Sequence, residues 1–462
     1  MNLATRLGKT KMTKINRLSR RAFLNTASQA AIGVGLASLP LNAFAQTNTN
    51  ADGIYFPPPE DQGGWRRYDA NGLSDIDAGK LMEAIRYHDQ AQVSTSRGAA
   101  LLIIHKGKLI GESYVTGSEG GPANWTAKTC NDMKSSTKSV FGTGAGVFLD
   151  EYSDQVNLES YLVGETKESS LIPQIWDQPI TDARKKNIKV KHVLSMTSGH
   201  AGPEPWLGTG TRRHHPGFSG AYQMHEYCFG WWNFDGVAAH DTLLFEPGSD
   251  FMYSNFGMEQ MALAIRNISG QGLGPYVYDK VLGPIGMPIG LRDNRYRDMP
   301  YSNGFELNFA EIPGWGVGGD TGCDAYGADG SASPYGINSI AGSTFRCTAR
   351  DFARLAYLWL NEGRWMDQQL VPQSWLKLAT SRYKRDDGST PNGYGYSFWV
   401  MDNVADVPKD LFMSRGHNQN HSYIIPSMDL VVVRQGNDNR REVNGEQFQN
   451  ALIQKIVAAI KS

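Results

Sequence analysis

A serine and a lysine stand three residues apart in Lys134-Ser135-Ser136-Thr137-Lys138-Ser139, just ahead of the helical run Val140 to Asp150. A helix beginning near Ser135 would set that hydroxyl among unpaired backbone N–H groups, where the positive end of the dipole stabilises an anion. The i to i+3 spacing puts Lys138 on the same face. A lysine held there and partly desolvated can lose its proton near neutral pH and take that of the serine, which makes Ser135 nucleophilic without a histidine. Ordinary residue usage yields an SxxK string or two by chance, and Ser374-Trp375-Leu376-Lys377, following Val371-Pro372, reads as the start of a surface helix. A second constellation separates the two. Glu246-Pro247-Gly248 forms a turn, Tyr253-Ser254-Asn255 follows, and Met258 to Ile265 has helical spacing. A tyrosine beside a lysine titrates below its usual value of about 10 and shuttles protons to a leaving group. Asn255 offers an amide to orient the acyl side of a substrate. Tyr301-Ser302-Asn303 repeats the spacing but lacks the helix.

Other chemistries lack their residues. There is no GxSxG, HExxH or GxxxxGK[ST], and no GxGxxG that opens a helix after a strand. Nucleophile elbows, zincins, P-loop enzymes and standard dinucleotide binders are therefore set aside. His214-His215 and His225-Glu226-Tyr227-Cys228 read as solvated or packed loop residues, as do Asp320, Asp324 and Asp329, so neither a metal nor a cofactor is expected. Trp206, Trp231, Trp232 and Trp315 lie on loops that could overhang a cleft or simply pack.

The elements that must position these residues divide by region. Ala99 to Ile104 and Lys108 to Tyr114 are β-forming runs separated by His105-Lys106-Gly107, a hairpin signal. Strand candidates return at Tyr394 to Met401, His421 to Ile425 and Leu430 to Arg434, the last two joined by a turn at 426–429. A helix is predicted after Asp75 or Asp77, with Leu81 and Ile85 on one side. A second runs from Ala349 to Leu360, and a closing one from Gln447 to Ile460 with Phe448, Leu452, Ile456 and Ile460 four apart. Strands at both ends and helices between them predict one antiparallel sheet beside a helical insertion, with a cleft at the junction.

The 462 residues carry 45 Lys+Arg against 46 Asp+Glu, a balance that argues against nucleic acid as a partner. With 40% hydrophobic and 20% charged residues the chain can build a large core. Residues 1–45 hold seven Lys/Arg and no Asp/Glu, with Ser19-Arg20-Arg21-Ala22-Phe23-Leu24, a modestly apolar stretch and then Ala43-Phe44-Ala45. They read as a twin-arginine export signal, which places the mature protein in the periplasm or outside the cell with no membrane span. Residues 46–75 read as an extended leader or surface strap. Cys130, Cys228, Cys323 and Cys347 allow three complete disulfide pairings, and the spacing selects none.

From about Gly98 onward the chain resembles the serine β-lactamase and penicillin-binding protein superfamily, most closely the class C β-lactamases and the related esterases and amide hydrolases. Besides Ser135/Lys138 and Tyr253/Asn255, the landmarks in order are Lys191 to Gly199 (KHVLSMTSG), Pro284-Ile285-Gly286-Met287, Ile340-Ala341-Gly342-Ser343 and Thr348-Ala349-Arg350-Asp351. The resemblance implies an α/β (α+β) fold, an antiparallel sheet flanked by helices plus a mostly helical subdomain. The hydrolase domain would span 76–462, with its sheet region at 76–120 and 390–462 and its helical region at 121–389. It further implies that Ser135 is acylated, that Lys138 and Tyr253 handle protons, and that Asn255 contacts the substrate. The Ser135 N–H would supply half of an oxyanion hole. The third family motif falls at Arg415-Gly416-His417-Asn418-Gln419-Asn420. His417 takes the place of the family's lysine, Gln419 stands where glycine is usual, and the Asn420 N–H becomes the second oxyanion donor. Loss of that lysine and glycine shifts the expected substrate from β-lactams toward small esters or amides. A β-lactamase or D-Ala carboxypeptidase, and a non-catalytic binding protein of the same fold, are the alternatives.

Overall fold

The computed structural model describes residues 48–93, 98–116, 125–177, 179–200, 242–287, 342, 345–390, 392–436 and 446–461. The arginine-pair segment, the loop histidines and tryptophans, Tyr301 to Asn303, the acids at 320, 324 and 329, Cys228 and Cys323 lie outside the described residues. Cys347 is a buried thiol.

β1 (Ala99–His105) and β2 (Lys108–Val115) form the expected hairpin. Its two-residue turn takes positive φ at Lys106 and Gly107, the twist that suits a tight hairpin. Further along come β3 (Cys130–Asp132), β4 (Arg346–Thr348), β5 (Arg364–Trp365), β6 (Gln368–Gln369), β7 (Trp399–Val400), β8 (Phe412–Gly416), β9 (Asn420–Ile425) and β10 (Leu430–Gly436). The main sheet runs β2-β1-β10-β9-β8-β7, antiparallel at every pairing. Segments far apart in the sequence therefore pair inside it, with Ala99 opposite Gly436 and His105 opposite Leu430.

β1 and β10 are buried along their whole length because both sheet faces are covered. Leu101, Ile103 and Val432 join one core with Leu81 and Ile85 of α1 (Ala78–Val93) and Phe448, Leu452 and Ile456 of the C-terminal helix (Glu446–Val457). Ala100, Leu102, Ile104, Val431 and Val433 join the other. That second core holds Phe352, Leu355 and Leu358 of the helix Ala349–Leu360 and continues into the helical region. Burying each of these large side chains stabilises the fold by roughly 1.5–3 kcal/mol. Two-sided burial is why these strands read as continuous apolar runs instead of alternating ones.

The structure revises two element boundaries and adds one strand. The strand expected over Tyr394 to Met401 shrinks to Trp399–Val400, because the chain turns back on itself through Ser397 at φ +65° and bridges Tyr394 to Trp399. The closing helix stops at Val457, and Ile460 instead bridges to Ile76. β8 was not expected, since Phe412-Met413-Ser414-Arg415-Gly416 lacks both alternation and an apolar run.

The leader from residue 48 is packed into the body. Phe56 is buried against Tyr357 and Trp365. The buried Arg354 guanidinium donates to the Pro57 and Pro58 carbonyls and to Glu60.

Candidate active site

Ser135 lies in a single 3-10 turn, Lys134–Ser136, which runs directly into α2 (Thr137–Glu151). The turn is fixed from several sides. The Met133 N–H donates to the Phe345 carbonyl, and the Thr137 hydroxyl donates to the Lys134 carbonyl at 2.6 Å while accepting from the Phe345 N–H at 3.0 Å. The Ser136 hydroxyl donates to the Asn420 carbonyl on β9. Lys134 is held at φ +52°, an uncommon conformation for a side-chain-bearing residue and one that clusters at working sites. Ser135 itself is half-buried and lines a cleft of about 250 Å³ with Tyr253, Trp399, Arg415 and the 416–419 turn.

Lys138, one turn into the helix, is 1% exposed. Its Nζ donates to Ser135 Oγ at 3.1 Å, to the Gly342 carbonyl at 2.6 Å and to Asn255 Oδ1. Three oxygens around one ammonium use all three of its donors. A fourth contact comes from Tyr253, whose ring centroid is 4.8 Å from Nζ, so the π face meets the cation. That ring is stacked on Trp399, with centroids 6.0 Å apart, and meets the edge of Tyr394 at 6.4 Å. Asn255 sits at the start of the helix Phe256–Ser269. Its oxygen is committed to the lysine, which leaves the amide nitrogen for a substrate.

The third motif is the turn between β8 and β9. Asn418 and Gln419 both have φ +60°. Arg434, buried on β10, donates from Nη1 to the Asn418 carbonyl at 2.8 Å and the Gln419 carbonyl at 3.0 Å. His417 and Gln419 line the cleft. Desolvation and the Lys134 ammonium hold the His417 imidazole below its ordinary range. The Asn420 side chain turns inward. Its oxygen accepts from Asn131 Nδ2 at 2.7 Å and the Gly436 N–H at 3.0 Å, and its nitrogen donates to the His417 carbonyl at 2.7 Å. With its carbonyl holding the Ser136 hydroxyl as well, a substrate role for Asn420 would fall to its backbone N–H. Ser374, in the other SxxK string, opens a short helix whose Trp375 packs in the core, with its Nε1 donating to the Gly142 carbonyl at 2.9 Å.

Several participants escape a local reading of the sequence. Gly342 supplies an oxygen to Lys138, and a Cβ there would lie 2.8 Å from Asn255 Oδ1. Gly416 lets β8 approach the nucleophile turn, because a Cβ would lie 2.2 Å from the Met133 carbonyl and 3.1 Å from the Ser136 nitrogen. Trp399, Arg415, His421 and Gln449 of the C-terminal helix also line the cleft. Among the described residues no group of three or more His, Cys, Asp or Glu is placed to hold a metal, and no helix is long and apolar enough to cross a membrane.

A sheet that pairs residues 99–105 with 430–436, with a serine–lysine pair and a tyrosine at its helical border, defines a β-lactamase/transpeptidase-like fold. The Beta-lactamase family profile matches residues 88–454, and the chain belongs to that family. A penicillin-binding protein homologue from Caulobacter crescentus is similar in fold at 16% identity and TM-score 0.54, covering 83% of this chain and 99% of its own. A family VIII carboxylesterase is similar at 16% identity and TM-score 0.53, covering 83% and 98%. A Bacillus anthracis protein assigned as a 6-aminohexanoate-dimer hydrolase is similar at 17% identity and TM-score 0.52, covering 88% and 89%. A search of curated proteins finds no match.

Proposed function

We propose that the chain is an exported serine hydrolase that cleaves a small ester or amide through an acyl-enzyme on Ser135. The observation that carries this reading is Lys138 Nζ at 3.1 Å from Ser135 Oγ, at the edge of a cleft. Ser135 Oγ attacks the substrate carbonyl carbon and its proton passes to Nζ. For that, the amine must first give up one of its three protons, and Tyr253, packed against it, is the group through which the proton reaches the leaving alcohol or amine. Water then attacks the acyl-enzyme by the reverse transfers and releases the acid. The Ser135 and Asn420 N–H groups are the proposed oxyanion donors, each of a kind worth roughly a hundredfold to a thousandfold in serine hydrolases. Folds shared with a carboxylesterase and an amide hydrolase support ester or amide chemistry.

A serine-directed phosphonate should add one covalent equivalent, mapped by intact mass and peptide analysis to Ser135. An unlabelled protein would overturn the assignment. Turnover of a chromogenic cephalosporin faster than of short-chain esters would favour the β-lactamase reading, for which Arg415 supplies a cation in the cleft. Export rests on Arg20-Arg21 and Ala43-Phe44-Ala45. N-terminal sequencing of the secreted form should begin near residue 46.

A further inference from the structure

Two costs meet at Gln419. Its backbone is left-handed directly after Asn418, a conformation in which a β-carbon is disfavoured. Its side chain is 1% exposed at the wall of the cleft, and among the described residues neither Oε1 nor Nε2 has a hydrogen-bond partner. Buried polar atoms are rarely left unpaired. The backbone around it is pinned by Arg434 and by the inward-facing Asn420, whereas the carboxamide, like the neighbouring Asn418 Oδ1, has no partner among the described residues. On the same wall, His421 Nδ1 accepts the Gly416 N–H at 3.3 Å, which places the imidazole proton on Nε2. That Nε2 also has no partner among the described residues. Burial and the Arg415 and Arg434 guanidiniums keep the ring neutral.

We propose that Gln419 is a specificity-determining residue that reads a planar amide group of the substrate, one separate from the bond that is cleaved. The N–H of a substrate amide would pair with Oε1; because a trans amide points its C=O the opposite way, that C=O would accept from the His421 Nε2–H on the same wall, while another acyl oxygen of the ligand accepts from Gln419 Nε2. This deepens the Ser135 hydrolase reading and rests on it. A carboxamide needs both a donor and an acceptor from its ligand. An ester or a carboxylate brings acceptors only and leaves Oε1 unpaired. The preferred class is therefore an N-acyl amino or peptide-like compound.

The test uses p-nitrophenyl esters, so that the scissile bond and leaving group stay constant. The acyl chain carries an N-acetylamino group, its acetoxy analogue or a free carboxylate, one to three methylenes from the scissile carbonyl. The full-length protein should show kcat/KM about tenfold higher for the best acetylamino ester than for its acetoxy twin. In Gln419→Gly, which relieves the left-handed strain and should melt no lower than the parent, the ratio should fall to within about twofold. Gln419→Glu, which keeps the shape and offers only acceptors when ionised, should keep or raise the ratio, because the N–H that distinguishes the two esters still meets an oxygen. An unchanged ratio in Gln419→Gly, a ratio lost in Gln419→Glu, or no preference in the parent would overturn the proposal. So would a parent preference for the carboxylate ester that disappears in Arg415→Met. Failure of the underlying hydrolase reading looks different: no ester is cleaved and the phosphonate leaves Ser135 unlabelled.

Discussion

The turn that carries Ser135 and the turn that carries Gln419 both line the cleft, yet they are built on opposite terms. Around Ser135 the polar groups are spoken for: Thr137, Ser136 and Lys138 each reach a carbonyl, and Lys138 spends all three protons. Around Gln419 the backbone is equally fixed, but Gln419 and His421 present unpaired atoms. The side chains of the first turn are satisfied without a ligand, which fixes the geometry of the proton transfer. The second is incomplete until something binds, as suits a surface that selects.

The largest expected effect breaks the first half of this comparison. Ser135→Ala should lower kcat/KM on a short-chain chromogenic ester by about 10⁴-fold or more with the circular dichroism melt unchanged, and Lys138→Ala by about 10²–10⁴-fold. The two losses should not add, because the residues act as a unit. Retained activity in Ser135→Ala would remove the nucleophile assignment. Tyr253→Phe keeps the ring over Nζ and the Trp399 stack but deletes the hydroxyl, so kcat should fall about a hundredfold with no change in Tm. A lower Tm with unaltered kcat would assign Tyr253 to packing alone.

Gly416→Ala tests whether the two turns must touch. Its new Cβ would collide with the Met133 carbonyl, so stability should drop by about 1–3 kcal/mol in denaturant unfolding, with activity falling alongside. A neutral result would mean that the approach is dispensable.

The smallest effects concern pH. The folded His421 pKa lies well below its ordinary value, chiefly through burial and then through Arg415 and Arg434. Its contribution is therefore present above about pH 6.5 and is lost as pH falls below that. Asp351, at the start of the helix Ala349–Leu360, has the opposite sign. Burial pushes its carboxyl up to about 7, against the lowering effect of the Thr348 hydroxyl and Arg354, so its contribution fades as pH rises from about 4 through 7. Tm measured from pH 4 to 8 should flatten on the acid side in His421→Gln and toward neutrality in Asp351→Asn. Curves parallel to the parent in both would contradict these assignments.

What the sequence discloses follows distance along the chain. Ser135 and Lys138, or Tyr253 and Asn255, are neighbours on one element, so spacing alone reveals them. The sheet is legible because β1 and β10 are apolar enough to be buried on both faces. Thr348-Ala349-Arg350-Asp351 reads as a family landmark and proves to be a helix cap, in which Thr348 Oγ1 accepts the Asp351 N–H at 3.1 Å. Gly342 shows in the sequence only as part of a landmark and Trp399 only as a strand residue, because their roles at the site exist only once distant segments meet. The inward turn of Asn420 follows from β8–β9 pairing, which sets it opposite Gly416, and a motif match carries no information about that face. Gln419 shows as an odd residue at a glycine position, but its unpaired carboxamide is visible only in three dimensions.

The pairing of β1 with β10 also bears on how the molecule comes into being. A ribosome exposes the hairpin of β1 and β2 early, and one edge of β1 then waits for residues 430–436. Contacts between segments this far apart make folding slow, and the open edge invites chaperones or wrong partners meanwhile. A stop codon or frameshift anywhere before the last strand would therefore not yield a smaller, weaker hydrolase; it would yield aggregate.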